Sequence, residues 1–507
     1  MIDKAIKNNI KIISLLILTQ VVSGCSAMRS YDKELSKTVT LVANNQVDDA
    51  IRNIDSNNEK TNQDLLYFLE KGELLRLKNQ YPESIATWLQ ADRKINEWEQ
   101  GAKIKARSFL ENTGSILVND KTRTYEGHDY EKVLLSTRLA LDYLLSGDWD
   151  SARTEIKKTH EREAIIEDIK GLEASTIASE SSNKNIQTTF KDLKGYPVHT
   201  LDSPEAIALK NSYQSAFSHY LAGFVYEALN EPSLAAPGYR KAIELRPNIK
   251  ELENGLANLE TRMKTRTPNT TDVLFVVESG VAPSLTSAMI PLPVFVGNIG
   301  VIPISFPILK SDATNTTLPL TTIIDNTQNV PLTAITSVDA MSRRALRDDM
   351  PGIILRGTLR AAAKAASQQA LMNQRGALAL AGIALNIANI VTESADERTW
   401  RTLPSSISVA RVSIPSGQHE FSINSAGSNN KKTLEIKGSH AVVFARLIGN
   451  QFFWSEPKYS EKMPTYITPI LTESTSTTDA VTTATEEKKP EPLAKPNRAS
   501  KKKLAKI

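Results

Sequence analysis

Helix-favouring runs of Ala, Leu, Glu and Lys fill the first half of the chain, and three segments within them share one spacing. The first is "FLEKGELLRLKNQYPESIATWLQAD", with Gly72, Leu75, Ser84, Trp88 and Ala91. The second, "RLALDYLLSGDWDSARTEIKKT", places Ala140, Tyr143, Ala152, Ile156 and Thr159 alike, and the third, "YLAGFVYEALNEPSLAAPGYRKAIELRPN", places Gly223, Tyr226, Ala235, Tyr239 and Ala242. Each has a small residue, a larger one three later, a small one nine further on, then a bulky one and another small one. Gly or Ala lets two antiparallel helices approach, and the aromatic ring fills the groove beside them. Pro247 stops the last helix of the third copy. "KIKARSFLENTGSILVNDKT" is a candidate degenerate unit between the first two copies. "ASTIASESSNKNIQTT" (174–189) reads as a loop or weak linker. Helix restarts at "DSPEAIAL", with Ser203 as N-cap and Pro204 at the first helical position.

After "TRMKTRTPNTT" the pattern changes to strands. "DVLFVVES" (272–279) reads as a buried strand. "SLTSAMIPLPVFVGNIGVIPISFPIL" is apolar, but Pro291, Pro293, Pro303 and Pro307 argue against a membrane helix and favour edge strands and irregular loops. A loop folded over the core is the favoured reading there, with lipid insertion as the alternative. "SVDAMSRRALRDDM" is a helix stopped by Pro351, followed by the Ala-rich helix "GIILRGTLRAAAKAASQQALMNQ". "ALALAGIALNIANIV" (377–391) is apolar almost all round yet short of the roughly 20 residues a spanning helix needs. Burial in the protein core is favoured for it, with membrane or partner contact as the alternative. From 405 to 455, short alternating runs separated by "PSG", "SAGSNN" and "KGSH" predict a β-meander that pairs with 272–279. The expected fold class is α+β: an α-helical repeat domain over 25–265, then a small β-sandwich-like domain over 271–456. The second domain has strands in 272–335, a helical insertion over 340–392 and the meander over 405–455. Thr- and Pro-biased, Lys-rich sequence from 472 to 507 cannot bury a core and reads as a disordered tail.

Composition narrows the function. At 507 residues the chain is long enough for more than one core, and its net charge of +4 gives no global pointer to nucleic acid. One Cys excludes an internal disulfide framework or a Cys-based metal cluster. That residue, Cys25, follows Lys4, Lys7 and Lys11, the apolar run "IISLLILTQVV" and small residues, the pattern of a secretory signal peptide over 1–24. Val22-Ser23-Gly24-Cys25 resembles the lipobox of bacterial lipoproteins. The resemblance implies diacylglyceryl transfer to the Cys25 thiol, cleavage before it, and further acylation, and several acyl chains anchor stably where one is marginal. Ser26 stands where an Asp would favour inner-membrane retention, so the expected location is the outer membrane, facing the periplasm.

The three spaced segments resemble tetratricopeptide (TPR) repeats. In such arrays the first helix of each pair lines a concave groove, which implies a peptide-binding role for Leu69, Glu73 and Arg76 and for Tyr220, Phe224 and Glu227. Ordinary packing positions of a helical bundle are the alternative. Arg356, Arg360 and Lys364 fall four apart on one helix face, a stripe able to hold an anion such as a lipid phosphate; a solvated face or pairing with Asp348 and Asp349 is the blander reading. The lipobox, "EGHDYEKVLLSTRLALDYLLSGDWDSARTEIKKTHERE", "VVESGVAP" and "ADERTWRTLPSSISVARVSIPSG" together resemble an uncharacterised family of large bacterial lipoproteins, over most of the mature chain. That family brings no established activity.

The six histidines are scattered, without metal-ligand spacing, and neither a nucleophile elbow nor a phosphate loop appears. No metal, cofactor or catalytic residue is expected. The expected function is a protein-binding adaptor for an envelope complex. Its expected partners are outer-membrane lipid through Cys25, at least one envelope protein and, as a further candidate, peptidoglycan, with no nucleic acid. A regulator of peptidoglycan synthesis and a wall-active hydrolase are the alternatives.

Overall fold

The computed structural model describes residues 29–58, 63–107, 124–265, 267–296, 299–312, 315, 319–372, 395–425 and 428–459. They form a mixed α+β protein in which eleven α-helices precede the first strand and a twelfth is inserted among the strands. The early helices are α1 (Tyr31–Ala43), α2 (Val47–Asn57), α3 (Leu65–Leu77), α4 (Tyr81–Arg107), α5 (Asp129–Leu145) and α6 (Trp149–Asn183). Then come α7 (Pro204–Ala208), α8 (Ala216–Ala228), α9 (Pro232–Leu245), α10 (Lys250–Ala257) and α11 (Leu259–Lys264). The turns joining α1 to α2, α3 to α4, α5 to α6 and α8 to α9 each hold one residue at positive φ: Asn45, Asn79, Gly147 and Asn230. Asn and Gly tolerate that backbone and so let the chain reverse at once into the next helix.

Close approach within the pairs rests on the small residues. A Cβ on Gly72 would lie 2.2 Å from Trp88 Nε1, and one on Gly223 would lie 2.6 Å from the Tyr239 ring. Trp88 also donates from Nε1 to the Leu69 carbonyl, at 3.0 Å.

Eleven strands follow: β1 (Thr270–Ser279), β2 (Ser284–Val296), β3 (Ile299–Lys310), β4 (Thr321–Ile324), β5 (Gln328–Pro331), β6 (Thr333–Ser337), β7 (Ser406–Pro415), β8 (Gly417–Ser425), β9 (Ser428–Ile436), β10 (His440–Ile448) and β11 (Gln451–Trp454). A mixed five-stranded sheet has the order β11-β10-β1-β7-β6, a second runs β5-β4-β8-β9, and β2 and β3 form a separate ribbon. The strand β1 is parallel to β10, with Asp272 beside His440, and antiparallel to β7, with Asp272 beside Ser413. Its side chains divide by parity: Leu274 and Val276 pack with the helices, while Val273, Phe275 and Val277 pack with Phe421, Ile423 and Leu434 of the four-stranded sheet. The central sheet is therefore buried on both faces, which explains the weak alternation of "DVLFVVES".

Several expectations change. Helix α6 runs on through residue 183, so most of 174–189 is helical rather than a linker. Its hydroxyls bond back onto their own helix: Ser175 and Thr176 both donate to the Leu172 carbonyl, at 2.8 Å, which lets a Ser-rich sequence stay helical. The helix restarts at Pro204 as expected, with Ser203 Oγ accepting from the Ala206 N–H. Pro351 does not stop its helix, because α12 (Val338–Met372) continues through it. The run over 405–455 is not a meander: β7 and β10 flank β1, while β8 and β9 join the other sheet. The helices and the central sheet share one hydrophobic cluster and lie in a single unit rather than in two domains divided near residue 270. The segment 377–391 and the tail over 472–507 lie outside the described residues.

Gly72→Ala should lower stability in urea unfolding by about 1–3 kcal/mol, since Trp88 leaves no room for a methyl group. Gly171→Ala, in α6 with no atom within 4 Å of the added Cβ, should be neutral or stabilising by up to about 1 kcal/mol.

Candidate functional site

The groove candidates mark the inner face of the helical layer, and that face is closed. Leu69, Glu73, Arg76, Tyr220, Phe224 and Glu227 are all buried. The five-stranded sheet meets Arg76, Phe224 and Glu227, and Leu69 packs with Trp88, Trp400 and Leu403, so these positions leave no open groove for a partner.

Two buried charge clusters form the seam. In the first, Arg76 donates from Nη2 to Glu73 Oε1 at 2.7 Å and to Glu278 Oε2 on β1 at 3.2 Å. Arg138 of α5 donates to the other Glu278 oxygen, and Arg446 Nη1 of β10 lies 3.5 Å from Oε2. The Arg76 guanidinium also stacks 4.3 Å from the centre of the Phe444 ring. Asp142, 3.8 Å from Arg76 Nε, completes three acids against three guanidinium groups. Burial pushes the Asp142 carboxyl up to about 7, with Arg76 opposing, and brings Arg446 down to about 10.

In the second cluster Glu227 accepts from Arg262 Nε at 2.7 Å, Arg411 Nη2 at 2.8 Å and Tyr239 Oη at 2.7 Å. Burial opposes its ionisation, but Arg262 and Arg411 hold the carboxyl down at about 2. Arg411 also donates from Nε to Asp272 of β1, at 2.9 Å, and Phe224 meets His440 of β10 edge to face at 5.4 Å. Glu227, Asp272 and His440 could converge on one cation. Two guanidinium groups already neutralise both carboxylates, so a divalent ion would have to displace them, and the geometry favours the ion pairs.

Two further buried acids pin the loop "ERTWRT" to the helices. Glu131 accepts from the Trp400 N–H at 2.7 Å and from Thr399 Oγ1 at 3.1 Å. Glu70 accepts from the Arg401 N–H at 2.5 Å and from Thr402 Oγ1 at 2.6 Å. Sequence reading missed all of these acids except Glu73 and Glu227. The available signal was a carboxylate amid apolar helix positions, as in "YFLEKGELL" and "DYEKVLL".

Open space lies elsewhere, in a cleft of about 850 Å³ between the N-terminal end of α5, α6, the base of β2 and β3, and α12. Its wall mixes apolar side chains with charged ones that pair among themselves. Lys170 bridges Asp349, at 2.6 Å, and Asp129, at 3.1 Å, and Lys132 pairs with Asp129 at 2.9 Å while lying 3.4 Å from the centre of the Trp98 ring. Arg344 pairs with Asp348 at 2.9 Å, and Arg347 and Arg356 lie along the same wall. Burial works against ionisation of Asp129, yet Lys132 and Lys170 hold its carboxyl well below the usual range. Burial pushes Glu173 upward, with Lys170 opposing.

Of the predicted anion stripe, Arg360 is buried, whereas Arg356 and Lys364 are half-buried. Cys25 lies outside the described residues. No helix among the described residues is long and apolar enough to cross a membrane. Comparison with family models, with curated proteins and with solved structures found no match for this chain.

Asp142 carries a testable pH dependence. Its folded value, about 7, stands above the usual 3.8, so the native state keeps the proton where the unfolded chain has lost it. The associated stability is fully present below about pH 4 and is lost as pH rises through 7. Melting curves of the wild type and Asp142→Asn at pH 5 and pH 8 should show the variant losing less stability over that interval. The difference should be on the order of a few kcal/mol.

Proposed function

We propose that this protein is an outer-membrane-anchored, periplasm-facing lipoprotein that acts as an adaptor and binds a segment of an envelope protein in the α5–α6–α12 cleft. The observation that carries the binding role is the cleft itself: large, open, and walled by acidic and basic side chains in roughly equal number. Such a wall favours a polypeptide of mixed charge, which can exchange ion pairs with it, over a nucleic acid. The anchor rests on the resemblance of Val22-Ser23-Gly24-Cys25 to a lipobox. On this reading the helix pairs are tetratricopeptide-like repeats, supported by Gly72 against Trp88 and Gly223 against Tyr239, and the two facing sheets form a small β-sandwich. Its concave groove serves intramolecular packing, and the partner site has moved to the cleft.

The test is photo-crosslinking in intact cells. A crosslinking amino acid at Ile177 or Ile353, both in the cleft wall, should capture one dominant envelope protein, whereas Lys241 outside it should not. Cys25→Ala should abolish palmitate labelling and deplete that product severalfold. Equal products from all three positions would sink the cleft as the binding site, and an unlabelled wild type would sink the anchor.

A wall-active hydrolase is the second reading, favoured by one observation: two carboxyls in the same cleft with opposed shifts, Asp129 held low and Glu173 pushed up. Such opposed pairs supply acid and base in glycoside hydrolysis. Wild-type protein should then release soluble fragments from purified peptidoglycan, and Glu173→Gln should lower the rate at least 100-fold. No release by the wild type would remove this reading.

A further inference from the structure

Arg29, the first described residue, is clamped to the body. Its guanidinium pairs with Glu34 of α1, donating from Nε at 2.8 Å and from Nη2 at 2.6 Å. A third bond runs from Nη1 to Asn58 Oδ1, just past the end of α2, at 3.1 Å. The same guanidinium lies 4.4 Å from the centre of the Tyr31 ring. A bidentate guanidinium–carboxylate pair fixes direction as well as distance, and the Glu34 side chain is only 9% exposed. The backbone is committed one residue later, where the Ser30 carbonyl accepts from the Glu34 N–H at 3.2 Å. Residue 29 therefore moves with the body.

Tyr31 is where this clamp meets the cleft. Its ring is buried in one cluster with Tyr125. The Arg398 guanidinium lies 5.9 Å from the centre of the Tyr31 ring and 5.2 Å from that of Tyr125. Tyr125 and Arg398 both belong to the cleft wall. Asp396 holds Arg398 in place, accepting from Nε at 2.8 Å and from Nη2 at 2.7 Å. From this end the helix pairs stack in chain order: α2 packs on α3, α4 on α5, α6 on α8 and α8 on α9. With layers about 8–10 Å apart, α9 stands roughly 30 Å from α1.

Chain length sets how far a lipid anchor can stand from the cleft. Cys25 precedes Arg29 by four residues, and four residues span at most about 14 Å when fully extended. Acyl chains on Cys25 would enter the bilayer directly, which holds that residue at the headgroup boundary. Adding the Arg29 side chain and the Tyr31 contact keeps the Tyr125–Arg398 end of the cleft within roughly 30 Å of the membrane, the span of about nine extended residues. A protein anchored in the same bilayer presents its anchor-proximal residues in that layer. Its more distant residues sit on a longer tether, and effective concentration falls roughly as the −3/2 power of tether length.

We infer that the cleft takes the juxtamembrane segment of a membrane-anchored envelope protein: a mixed-charge stretch within about ten residues of that partner's own lipid anchor or membrane span. This deepens the adaptor reading, on which it rests for the lipid on Cys25 and for a polypeptide guest. It specifies which part of a partner is bound. The clamp at Arg29 acquires a purpose, because a longer free tether would let the cleft drift out of the layer in which that segment lies.

The experiment uses the full chain in intact cells, with the crosslinking amino acid at Ile177. Wild type is compared with a variant carrying about twenty Gly and Ser residues inserted between Ala27 and Met28. Palmitate labelling shows that each is anchored, and a matching urea midpoint excludes misfolding. The captured peptide, mapped by mass spectrometry, should lie within about ten residues of the partner's anchor, and the insertion should lower the yield about 5-fold or more. A second readout needs no partner. Purified acylated protein is placed in vesicles containing a headgroup-labelled phosphatidylethanolamine as energy acceptor, with a donor dye at Thr124→Cys in the cleft wall or Ser233→Cys on α9. The donor at 124 should be quenched severalfold more than the donor at 233, and the insertion should erase the difference. In labelled protein, a captured peptide far from any anchor, a yield unchanged by the insertion, or equal quenching at the two positions overturns the inference and leaves the adaptor reading standing. An unlabelled wild type, or no capture at Ile177, overturns both.

Discussion

Glu278 sits on the central strand of the central sheet, out of reach of water, with guanidinium groups of Arg76, Arg138 and Arg446 around it. A buried carboxylate on its own would be driven to take up a proton or to unfold its surroundings. Only the complete set of charges, drawn from α3, α5, β1 and β10, makes the site tolerable. That requirement ties the helical layer to the sheet more specifically than apolar packing does. Greasy surfaces can slide and repack, whereas this seam has one register in which the charges balance. The cluster of Glu227, Arg262, Arg411 and Asp272 repeats the arrangement further along the same interface.

Helix faces covered from within the chain change where binding can occur. Side chains that would greet a guest peptide are committed to the chain's own strands. What stays accessible is the cleft on the other side of α5 and α6, where ion pairs such as Arg344–Asp348 are partly exposed and cost little to exchange. The β2–β3 ribbon lies beside it, with Met289 and Val301 exposed. The two features sit on neighbouring elements, since Leu285 and Pro307 belong to both the ribbon and the cleft wall.

Local physics was legible in the sequence where a residue's role depends on near neighbours. The small–bulky pairs Gly72/Trp88 and Gly223/Tyr239, the Ser203 cap and the buried strand at 272–279 all belong to this kind. The spacing of Leu69, Glu73, Arg76 and Phe224 also indicated which way those side chains point. It carried no information on what they meet, because the strands and the loop that cover them are encoded two hundred or more residues later, as in the Arg76–Glu278 bond and the Leu69–Trp400 packing. The run over 405–455 failed for the same reason: alternation reveals strands but not their partners, and β1 came to lie between two of them. Residues 174–183 failed differently. Serine favours loops in general, yet its hydroxyl can equally bond to the preceding turn of its own helix. Proline at 351 has the chemistry of a stop, although a long helix packed on a ribbon tolerates one missing N–H.

The insertion of β1 between β7 and β10 also constrains the order in which the chain can mature. Helices made early carry Glu73, Arg76 and Arg138 on a face that nothing yet covers, and their partner Glu278 arrives only with β1. That strand in turn has no neighbour until residues 406–448 have been made. Long-range pairing of this kind is slow, and the exposed intermediate is prone to aggregate. A nascent chain would hold a half-built, charge-bearing helical layer for much of its synthesis, until the last strands close over it.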